Sequence, residues 1–466
     1  MFKIALIPIF VVSLMCSTVT SQESSTKEME GKILALVQPY VDAEVINCVA
    51  IGVIDGDSRL TMSVGQFSKE DTTTADENTI FEIGSISKVF TGILLADAIE
   101  RGLVTANQPA GELLPEGIKM PVSKNKPERK ITLTDLSTHI SGLPRLPSNF
   151  DATNAKNPFE NYGPEELFEF LNSHDLSRKP GIIEEYSNLG VGLLGVLISR
   201  KQETDYANLL ESRIAKPLGM SDTATSVSAA QKKRLAPPND VSCNPATSWD
   251  FDALAGAGAI RSTVSDMLKF AKANLDPPND EIGKAIELAF TQQRKPKGLD
   301  SKPMGFGWII NSGSETRWHN GQTGGYHSMM MVNRKQNRAV VVLTNTATRE
   351  VDTLASEIMQ MLRGDDVKPR KFRKSMKVTS EVCDRYVGTY ELNKAIAIDV
   401  AKPDDNDAGL TVQLTGQTAL PIYPGTETRW FLKVVKADIE FTVNKDGKCT
   451  ALTLYQNGIV QEAKKK

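Results

Sequence analysis

Residues 81–88 read Phe-Glu-Ile-Gly-Ser-Ile-Ser-Lys and lead directly into an apolar stretch over 89–95. The pattern predicts a helix over 85–101 that ends at Gly102. Ser85 and Lys88 are three residues apart and so share one face of this helix. Ser85 lies in the first turn, where unpaired backbone N–H groups and the helix dipole favour negative charge.

A serine that attacks a carbonyl needs a base, a nearby cation and donors for the oxyanion. Lys88 can be the base or the cation if burial lowers its pKa, and the apolar residues that follow predict burial. Ser-x-x-Lys alone is weak, because Ser123 and Lys124-Asn125-Lys126 repeat the pattern in a charged loop. The start of an apolar helix is what favours Ser85 as the nucleophile.

A second candidate segment, 180–190, reads Pro-Gly-Ile-Ile-Glu-Glu-Tyr-Ser-Asn-Leu-Gly. Tyr186, if it loses its proton near a lysine, can act as general base toward a serine hydroxyl. Asn188 can hold a substrate amide or the lysine. Tyr206 and Asn208 have the same spacing inside a predicted helix. Only the first pair lies on a predicted loop, where functional side chains concentrate.

A third segment, 318–326, reads Trp-His-Asn-Gly-Gln-Thr-Gly-Gly-Tyr at the start of a predicted strand. Its glycines allow a ligand to approach the backbone, and a free N–H there can be a second oxyanion donor. Taken alone, such a glycine cluster is more often a simple turn. We interpret two other features as structural: His139, at the end of a short capped helix, and the small-residue stretch 255–259.

Composition excludes several classes of function. With 54 Lys and Arg against 57 Asp and Glu, the net charge is −3, which argues against nucleic acid as a partner. Hydrophobic content of 40% and charged content of 24% are typical of a soluble globular protein. There are four histidines, and no zinc-binding or nucleotide-binding motif occurs; Arg261 stands where the third glycine of a dinucleotide fingerprint would be. We therefore predict chemistry without metal or cofactor. The Gly-x-Ser-x-Gly esterase motif is also missing.

The order of elements predicts an α+β fold with an antiparallel sheet flanked by helices. Strand signals occur at 48–54 and 59–64 around Asp55-Gly56-Asp57, and again at 308–311, 326–332 and 339–344. Helical patterns lie between them, at 189–200, 204–216 and 261–275 among others, and at 350–363, with a loop-rich helical subdomain inserted over 105–180. We predict a first domain over 22–363, a charged linker over 364–380, and a small all-β barrel over 381–466, with a sandwich as the alternative.

The N-terminus predicts export. Lys3 precedes an apolar run over 4–15, and small residues at 19–21 offer a cleavage site, so we read 1–21 as a signal peptide. Cys16 leaves a lipid anchor open, although the large Met15 precedes it. No later segment approaches the roughly 20 apolar residues needed to span a bilayer. Cys383 and Cys449, near the two ends of the last domain, are either bridged or buried free thiols.

Taken in order, these segments resemble the serine β-lactamase and penicillin-recognising family, in particular its class C β-lactamase, DD-peptidase, D-aminopeptidase and esterase branch. The resemblance covers about residues 30–362. The matching segments are 81–88, Thr-His-Ile-Ser-Gly-Leu-Pro at 138–144, Tyr-Ser-Asn at 186–188, Pro-Leu-Gly-Met at 217–220 and His-Asn-Gly at 319–321. Each is common alone, but the ordered set is highly specific.

The resemblance implies a β-lactamase/transpeptidase-like fold and assigns roles to individual residues. Ser85 would be the acylated nucleophile, Lys88 its assistant and Tyr186 the base for acylation or deacylation. Asn188 would position the substrate. The backbone N–H groups of Ser85 and Gln322 would form the oxyanion hole.

One departure from the family pattern concerns substrate binding, for which His319 and Gly321 are candidate residues with Asn188 and Gln322. The lactamase branch has a lysine where His319 stands, and that cation helps to bind a carboxylate. An unperturbed imidazole, with a pKa of about 6.5, is mostly uncharged at neutral pH. The histidine therefore favours the esterase and aminopeptidase relatives.

We thus expect an exported serine hydrolase that forms an acyl-enzyme with a small ester, amide or peptide. The alternatives are a true β-lactamase or DD-carboxypeptidase, and a non-catalytic penicillin-binding-like protein. From residue 384 onward, Asp-Arg-Tyr-Val-Gly-Thr-Tyr-Glu-Leu resembles a small lipocalin-like β domain appended to some of these hydrolases. The sequence leaves substrate identity, the role of this domain and oligomeric state open.

Overall fold

The computed structural model describes the chain from residue 10 onward, and its side chains from residue 26, except at 125–127, 151–152, 155, 299, 404–408, 418 and 434. It divides into two compact units, Met1–Pro369 and Arg370–Lys466. The division falls inside the stretch predicted as a linker. The predicted signal peptide lies outside the residues whose side chains are described.

The first unit is built on a six-stranded antiparallel sheet with the strand order β2-β1-β8-β7-β6-β5. A separate two-stranded sheet pairs β3 with β4. The strands are β1 (Cys48–Asp55), β2 (Ser58–Gly65), β3 (Ile80–Glu82), β4 (Arg261–Thr263), β5 (Ile309–Asn311), β6 (Thr316–Gln322), β7 (His327–Asn333) and β8 (Arg338–Thr344).

The early hairpin joins the late strands, as the sequence predicted. Strands β1 and β2 pair in register from Cys48 opposite Gly65 to Asp55 opposite Ser58. Gly56 turns the chain between them with a φ of +61°, a conformation that glycine adopts without steric cost. On its other side β1 pairs with β8. The six-stranded sheet is therefore complete only when the two ends of the unit come together.

Helices make up much of the remaining chain of the first unit. Those of the first unit are α1 (Phe10–Asp42), α2 (Ser87–Glu100), α3 (Leu133–Ser137), α4 (Pro164–Ser173), α5 (Asn188–Lys201), α6 (Tyr206–Leu210), α7 (Ala229–Lys232), α8 (Ala255–Gly258), α9 (Val264–Leu275), α10 (Glu281–Phe290) and α11 (Glu350–Leu362).

Most of these helices agree with the sequence predictions, with three corrections. The helix predicted over 261–275 begins at Val264, because Thr263 caps it by accepting a hydrogen bond from the Asp266 backbone N–H at 3.1 Å. The stretch predicted as one helix over 204–216 is α6 followed by one π-helical turn, Glu211–Ala215. The sequence analysis missed α10 entirely.

The central strands and α2 are apolar because they form the core of the first unit. All seven residues of β7 are buried, and so are six of the seven in β8, so both faces of the central sheet are covered. Helix α2 is buried on every side from Ser87 to Ala98. Phe90 stacks on Phe270 of α9 with ring centroids 4.1 Å apart. Burial of one such ring contributes about 1.5–3 kcal/mol.

The second unit is a closed eight-stranded barrel, preceded by α12 (Ser380–Tyr386). All of its neighbouring strands pair antiparallel. The predicted barrel is correct, and the sandwich alternative is wrong. Its strands are β9 (Gly388–Asn393), β10 (Ile396–Ala401), β11 (Leu410–Leu414), β12 (Leu420–Pro424), β13 (Arg429–Phe431), β14 (Ala437–Val443), β15 (Cys449–Gln456) and β16 (Ile459–Lys465).

Two barrel strands escaped the sequence analysis. In β16 only Ala463 is buried, so the strand lacks the alternation of apolar and polar residues on which strand prediction rests. Strand β12 contains Pro421 and Pro424, which normally argue against a strand. The barrel core itself is aromatic, with Tyr386 stacked on Phe441 at a centroid distance of 4.0 Å.

The cysteines that are described, Cys48, Cys243, Cys383 and Cys449, are all free thiols. Cys383 and Cys449 are both buried in the barrel core, and Tyr390 Oη lies 3.2 Å from the Cys449 sulfur. Of the two possibilities that the sequence left open, the structure has the free thiols. Within the described part of the chain, no helix is long and apolar enough to cross a membrane.

We expect Gly92→Ala to destabilise the first unit. A Cβ at this α2 position would overlap the backbone carbonyl of Phe306, and overpacking of this kind costs about 1–3 kcal/mol. Gly31→Ala in α1 is the matched control, because nothing lies within 4 Å of its added Cβ. Urea unfolding should show a loss of stability for the first variant only. Equal stability of the two variants would contradict the packing argument.

Candidate active site

Ser85 is placed by the connection from β3 to α2. Strand β3 ends at Glu82, and a 3-10 turn, Gly84–Ile86, leads into α2. Ser85 therefore lies in the turn before the helix, not in the first turn of the α-helix itself. From Thr79 to Ala98, every residue except Ser85 is buried. The fold thus exposes one hydroxyl from an otherwise closed segment.

The amine of Lys88 lies beside this hydroxyl. Its Nζ donates to Ser85 Oγ at 2.9 Å and to the carbonyl oxygen of Ala257 at 2.7 Å. The side chain is fully buried. Burial, and secondarily the positive charge of Arg145, lower the pKa of Lys88 well below its usual value. A neutral amine in this position can accept a proton from the serine.

Tyr186 completes the cluster from the loop before α5. Its phenol lies beside the Ser85 side chain, and Lys88 Nζ lies 4.9 Å from the centroid of its ring. Burial raises the pKa of Tyr186 to about 12, although the Ser85 side chain and the charge of Arg145 act in the opposite direction. The three residues expected to carry the chemistry therefore converge at one point.

Two glycines allow β6 to approach the Ser85 turn. A Cβ on Gly321 would overlap the carbonyl of Ile83 and lie 2.8 Å from the backbone nitrogen of Ser85. A Cβ on Gly84, whose φ is +48°, would lie 2.7 Å from the backbone nitrogen of Gln322. The backbone amides of Ser85 and Gln322 are thus adjacent. This geometry suits two donors to one oxyanion.

His319 is neutral in this site. It is buried in β6, and its Nδ1 donates to the carbonyl oxygen of Asn320 at 2.6 Å. Burial lowers the pKa of His319 to about 3. The expectation that this position lacks a cation at neutral pH therefore agrees with its surroundings. The motif lies at the end of β6, not at the start of the following strand as expected.

The backbones of Asn188 and Gln322 adjoin the residues of the cluster. Asn188 is the half-buried first residue of α5, and its N–H donates to the carbonyl oxygen of Arg145 at 3.0 Å. In the described part of the chain no hydrogen bond joins its side chain to Lys88. The side-chain amide of Gln322 donates to Ala347 at 3.4 Å.

Sequence reasoning missed three contributors. The carbonyl of Ala257, in a stretch interpreted as purely structural, accepts a hydrogen bond from Lys88. The ring of His139 packs on Tyr186 with centroids 4.5 Å apart. The guanidinium of Arg145 lies 5.0 Å from the Tyr186 ring centroid. All three are distant in sequence from the residues that they contact. The motif quoted at 138–144 contains His139 and directly precedes Arg145, and it was the one signal for this region.

Comparison with known proteins identifies the family. A family model described as Beta-lactamase matches residues 33–360, well over half of the chain. The chain belongs to the β-lactamase family. It is a serine hydrolase of this β-lactamase-related group, as the sequence predicted. A second model, described as a domain of unknown function (DUF3471), matches residues 373–464, and the barrel found there fits a lipocalin-like domain.

Three relatives illustrate the similarity. Penicillin-binding protein 4* of Bacillus subtilis is 27% identical over 419 residues, which cover 83% of this chain and 87% of that protein. The D-alanyl-D-alanine-carboxypeptidase/endopeptidase AmpH of Escherichia coli is 27% identical over 331 residues, 67% of this chain and 83% of its own. A β-lactamase/D-alanine carboxypeptidase structure from Yersinia pestis superposes with a TM-score of 0.62 at 24% identity, covering 71% and 97% of the two chains. That structure confirms the predicted fold class of the first unit.

The lowered pKa of Lys88 predicts a pH-dependent stability. Above its folded-state pKa the native amine is neutral, while the unfolded chain still binds a proton up to about pH 10.4. The unfolded state then binds more protons, so the free energy of unfolding rises with pH, by about 1.36 kcal/mol per pH unit. Lys88→Met should lose this rise. Urea unfolding from pH 7 to 10 would measure it.

Lys335→Met, at an exposed position, is the control and should follow the wild type at every pH. A stability difference between wild type and Lys88→Met that stays constant over this range would mean that Lys88 is protonated in the folded protein.

Proposed function

We propose that this protein hydrolyses a small ester, amide or peptide through an acyl-enzyme on Ser85. The observation that carries the proposal is the 2.9 Å contact between the half-buried Ser85 hydroxyl and the buried amine of Lys88, with the phenol of Tyr186 beside the same pair. Such a nucleophile-and-base pair is the recurrent arrangement of covalent acyl transfer.

In the acylation step, Ser85 Oγ forms a bond to the substrate carbonyl carbon and loses its proton. With the pKa of Tyr186 at about 12, very little phenolate exists at neutral pH, so the neutral amine of Lys88 is the available acceptor. The backbone N–H groups of Ser85 and Gln322 stabilise the oxyanion. The tetrahedral adduct then breaks its bond to the leaving group, which departs with the proton that Tyr186 relays.

In the deacylation step, water attacks the acyl carbon and passes a proton through the Tyr186 hydroxyl to the neutral amine of Lys88. The bond between the acyl carbon and Ser85 Oγ then breaks, Oγ takes up this proton, and the acid product leaves. Loss of one oxyanion donor typically costs about 2.7–4 kcal/mol in the transition state. Asn188 begins α5, two residues after Tyr186, and would hold the substrate amide or ester.

The ester and D-amino-acid peptidase type is supported by the neutral state of His319, which offers no cation for a substrate carboxylate. A second candidate is a true β-lactamase or DD-carboxypeptidase. Two observations favour it: the exposed guanidinium of Arg145 lies against Tyr186, and the relative AmpH is named a D-alanyl-D-alanine-carboxypeptidase/endopeptidase. A non-catalytic binding protein is disfavoured, because Ser85, Lys88 and Tyr186 are all in place.

We also infer that the protein is exported. The inference rests on the N-terminal pattern, in which Lys3, the apolar run over 4–15 and the small residues at 19–21 form a signal peptide. A lipid anchor at Cys16 is the alternative.

Ser85→Ala should abolish both turnover and covalent labelling by a fluorophosphonate probe, because no other hydroxyl touches Lys88 Nζ among the described contacts. Mass spectrometry of the intact protein would show one adduct on the wild type and none on the variant. Ser123→Ala is the control, since that serine begins another Ser-x-x-Lys pattern. This variant should be labelled by the probe and hydrolyse substrate like the wild type. Labelling that persists in Ser85→Ala would overturn the assignment.

The substrate class is tested by steady-state hydrolysis of p-nitrophenyl esters, D-amino-acid anilides, a chromogenic cephalosporin and a peptide ending in D-alanyl-D-alanine. We expect the highest kcat/KM among the uncharged esters and anilides, because His319 is neutral. A clear preference for the last two, lost in Arg145→Gln, would support the lactamase or carboxypeptidase alternative. Ser85-dependent labelling without turnover of any compound would support the non-catalytic one.

A further inference from the structure

His139 contacts three consecutive residues of the loop that carries Tyr186. Its carbonyl oxygen accepts a hydrogen bond from the Glu185 backbone N–H at 2.8 Å. Its Nδ1 accepts one from the Ser187 backbone N–H at 3.2 Å. Between them, its ring lies 4.5 Å from the Tyr186 ring, with an angle of 36° between the planes. One residue thus holds the phenol and the backbone on both sides of it.

The backbone of His139 adopts a conformation that few side chains favour. Its φ is +60°, and the left-handed region costs a residue with a Cβ about 1–2 kcal/mol. The short helix α3 fixes the approach to this point through a capping box between Thr132 and Asp135. Such conformations persist only where surrounding contacts impose them, and they cluster at functional sites. The turn directs the imidazole of His139 onto the Tyr186 loop.

The ionisation state of His139 suits an acceptor. The side chain is 2% exposed, and burial lowers its pKa well below the usual value; the nearby guanidinium groups of Arg294 and Arg145 act in the same direction. A neutral imidazole whose Nδ1 accepts a hydrogen bond carries its proton on Nε2. The bond to Ser187 is therefore kept at neutral pH.

The neighbouring segment reinforces the same loop. The Ser187 hydroxyl donates to the carbonyl oxygen of Pro144 at 2.7 Å, and the Asn188 N–H donates to that of Arg145 at 3.0 Å. Residues 139–145 therefore form a backbone support for residues 185–188. Within this support, His139 is the residue whose side chain touches the phenol ring and whose two acceptors flank it.

We propose that His139 is a positioning residue of the active site, which fixes the Tyr186 ring against Ser85 through one ring contact and two hydrogen bonds. The proposal rests on the function proposed above. It differs from the structural role expected from the sequence, because a structural residue would affect stability alone, whereas a positioning residue affects the chemical step.

The test compares His139→Ala with His139→Asn on a p-nitrophenyl ester. Asparagine tolerates positive φ, and its Oδ1 can accept the Ser187 hydrogen bond, whereas alanine supplies neither. Misplacement of a catalytic group by about 1 Å can cost about 100-fold, so we expect kcat of His139→Ala to fall on that order. KM should change little, since the loss is confined to the transition state. His139→Asn should recover about a tenth or more of wild-type kcat, on the same scale.

A Tyr186→Phe background separates positioning from a general loss of structure. If His139 acts through the phenol, adding His139→Ala or His139→Asn to Tyr186→Phe should change the residual kcat by less than about twofold, because coupled residues are not additive. The pH profile of kcat should move in the single variants, since the surroundings of the phenol change. His174→Asn, at the end of α4, is the control and should leave kcat unchanged.

Each outcome decides the question. Wild-type kcat in folded His139→Ala and His139→Asn, or equal fold-losses with and without the Tyr186 hydroxyl, would overturn the proposal and leave His139 a structural residue. If His139→Ala does not fold, His139→Asn in the two backgrounds gives the same comparison. The proposed function fails separately, when wild type itself shows no turnover that depends on Ser85.

Discussion

The burial of one amine is the constraint on which the rest of the site depends. Lys88 is fully enclosed in α2, and its Nζ has two hydrogen-bond acceptors, Ser85 Oγ and the carbonyl of Ala257. A charged ammonium in such surroundings would cost several kcal/mol, so the helix holds the amine neutral and basic. Helix α2 can impose this because its apolar sequence packs against α5, α8 and α10, and because Phe90 stacks on Phe270 of α9.

The same enclosure explains what could be read from the sequence and what could not. The apolar stretch after Lys88 predicted both the helix and the buried lysine, and strong strand patterns predicted β1, β2, β7 and β8. These features depend on local periodicity. His139, by contrast, looked like the end of a small capped helix, because its contacts with residues 185–187 lie almost fifty positions further along the chain. The acceptor for Lys88 at Ala257 is a backbone carbonyl. Every residue has one, so the residue type gives no sign of this role.

Charge in the site follows from position as much as from residue type. A lysine, a histidine pair and a tyrosine stand close together, yet burial keeps Lys88, His139 and His319 toward their neutral forms. Arg145, whose guanidinium lies against the Tyr186 ring, is by contrast exposed. The cluster therefore combines an uncharged interior, suited to moving one proton, with a permanent cation toward the solvent. Sequence alone indicated Lys88, Tyr186 and His319 but not the roles of His139 and Arg145. It also predicted a buried Lys88, whereas the ionisation of the two histidines follows from the packing.

The pairing of β1 with β8 bears on how the polypeptide acquires this arrangement. Val49 lies opposite Thr344 in the ladder, so nearly three hundred residues must be synthesised before the first long strand finds its second neighbour. Closing so large a loop is entropically costly and makes folding slow. Until then the β1–β2 hairpin offers an unpaired apolar edge, which is the kind of surface that chaperones bind and that aggregates share. During most of its synthesis the chain therefore lacks the complete sheet, and the geometry of the active site cannot yet form.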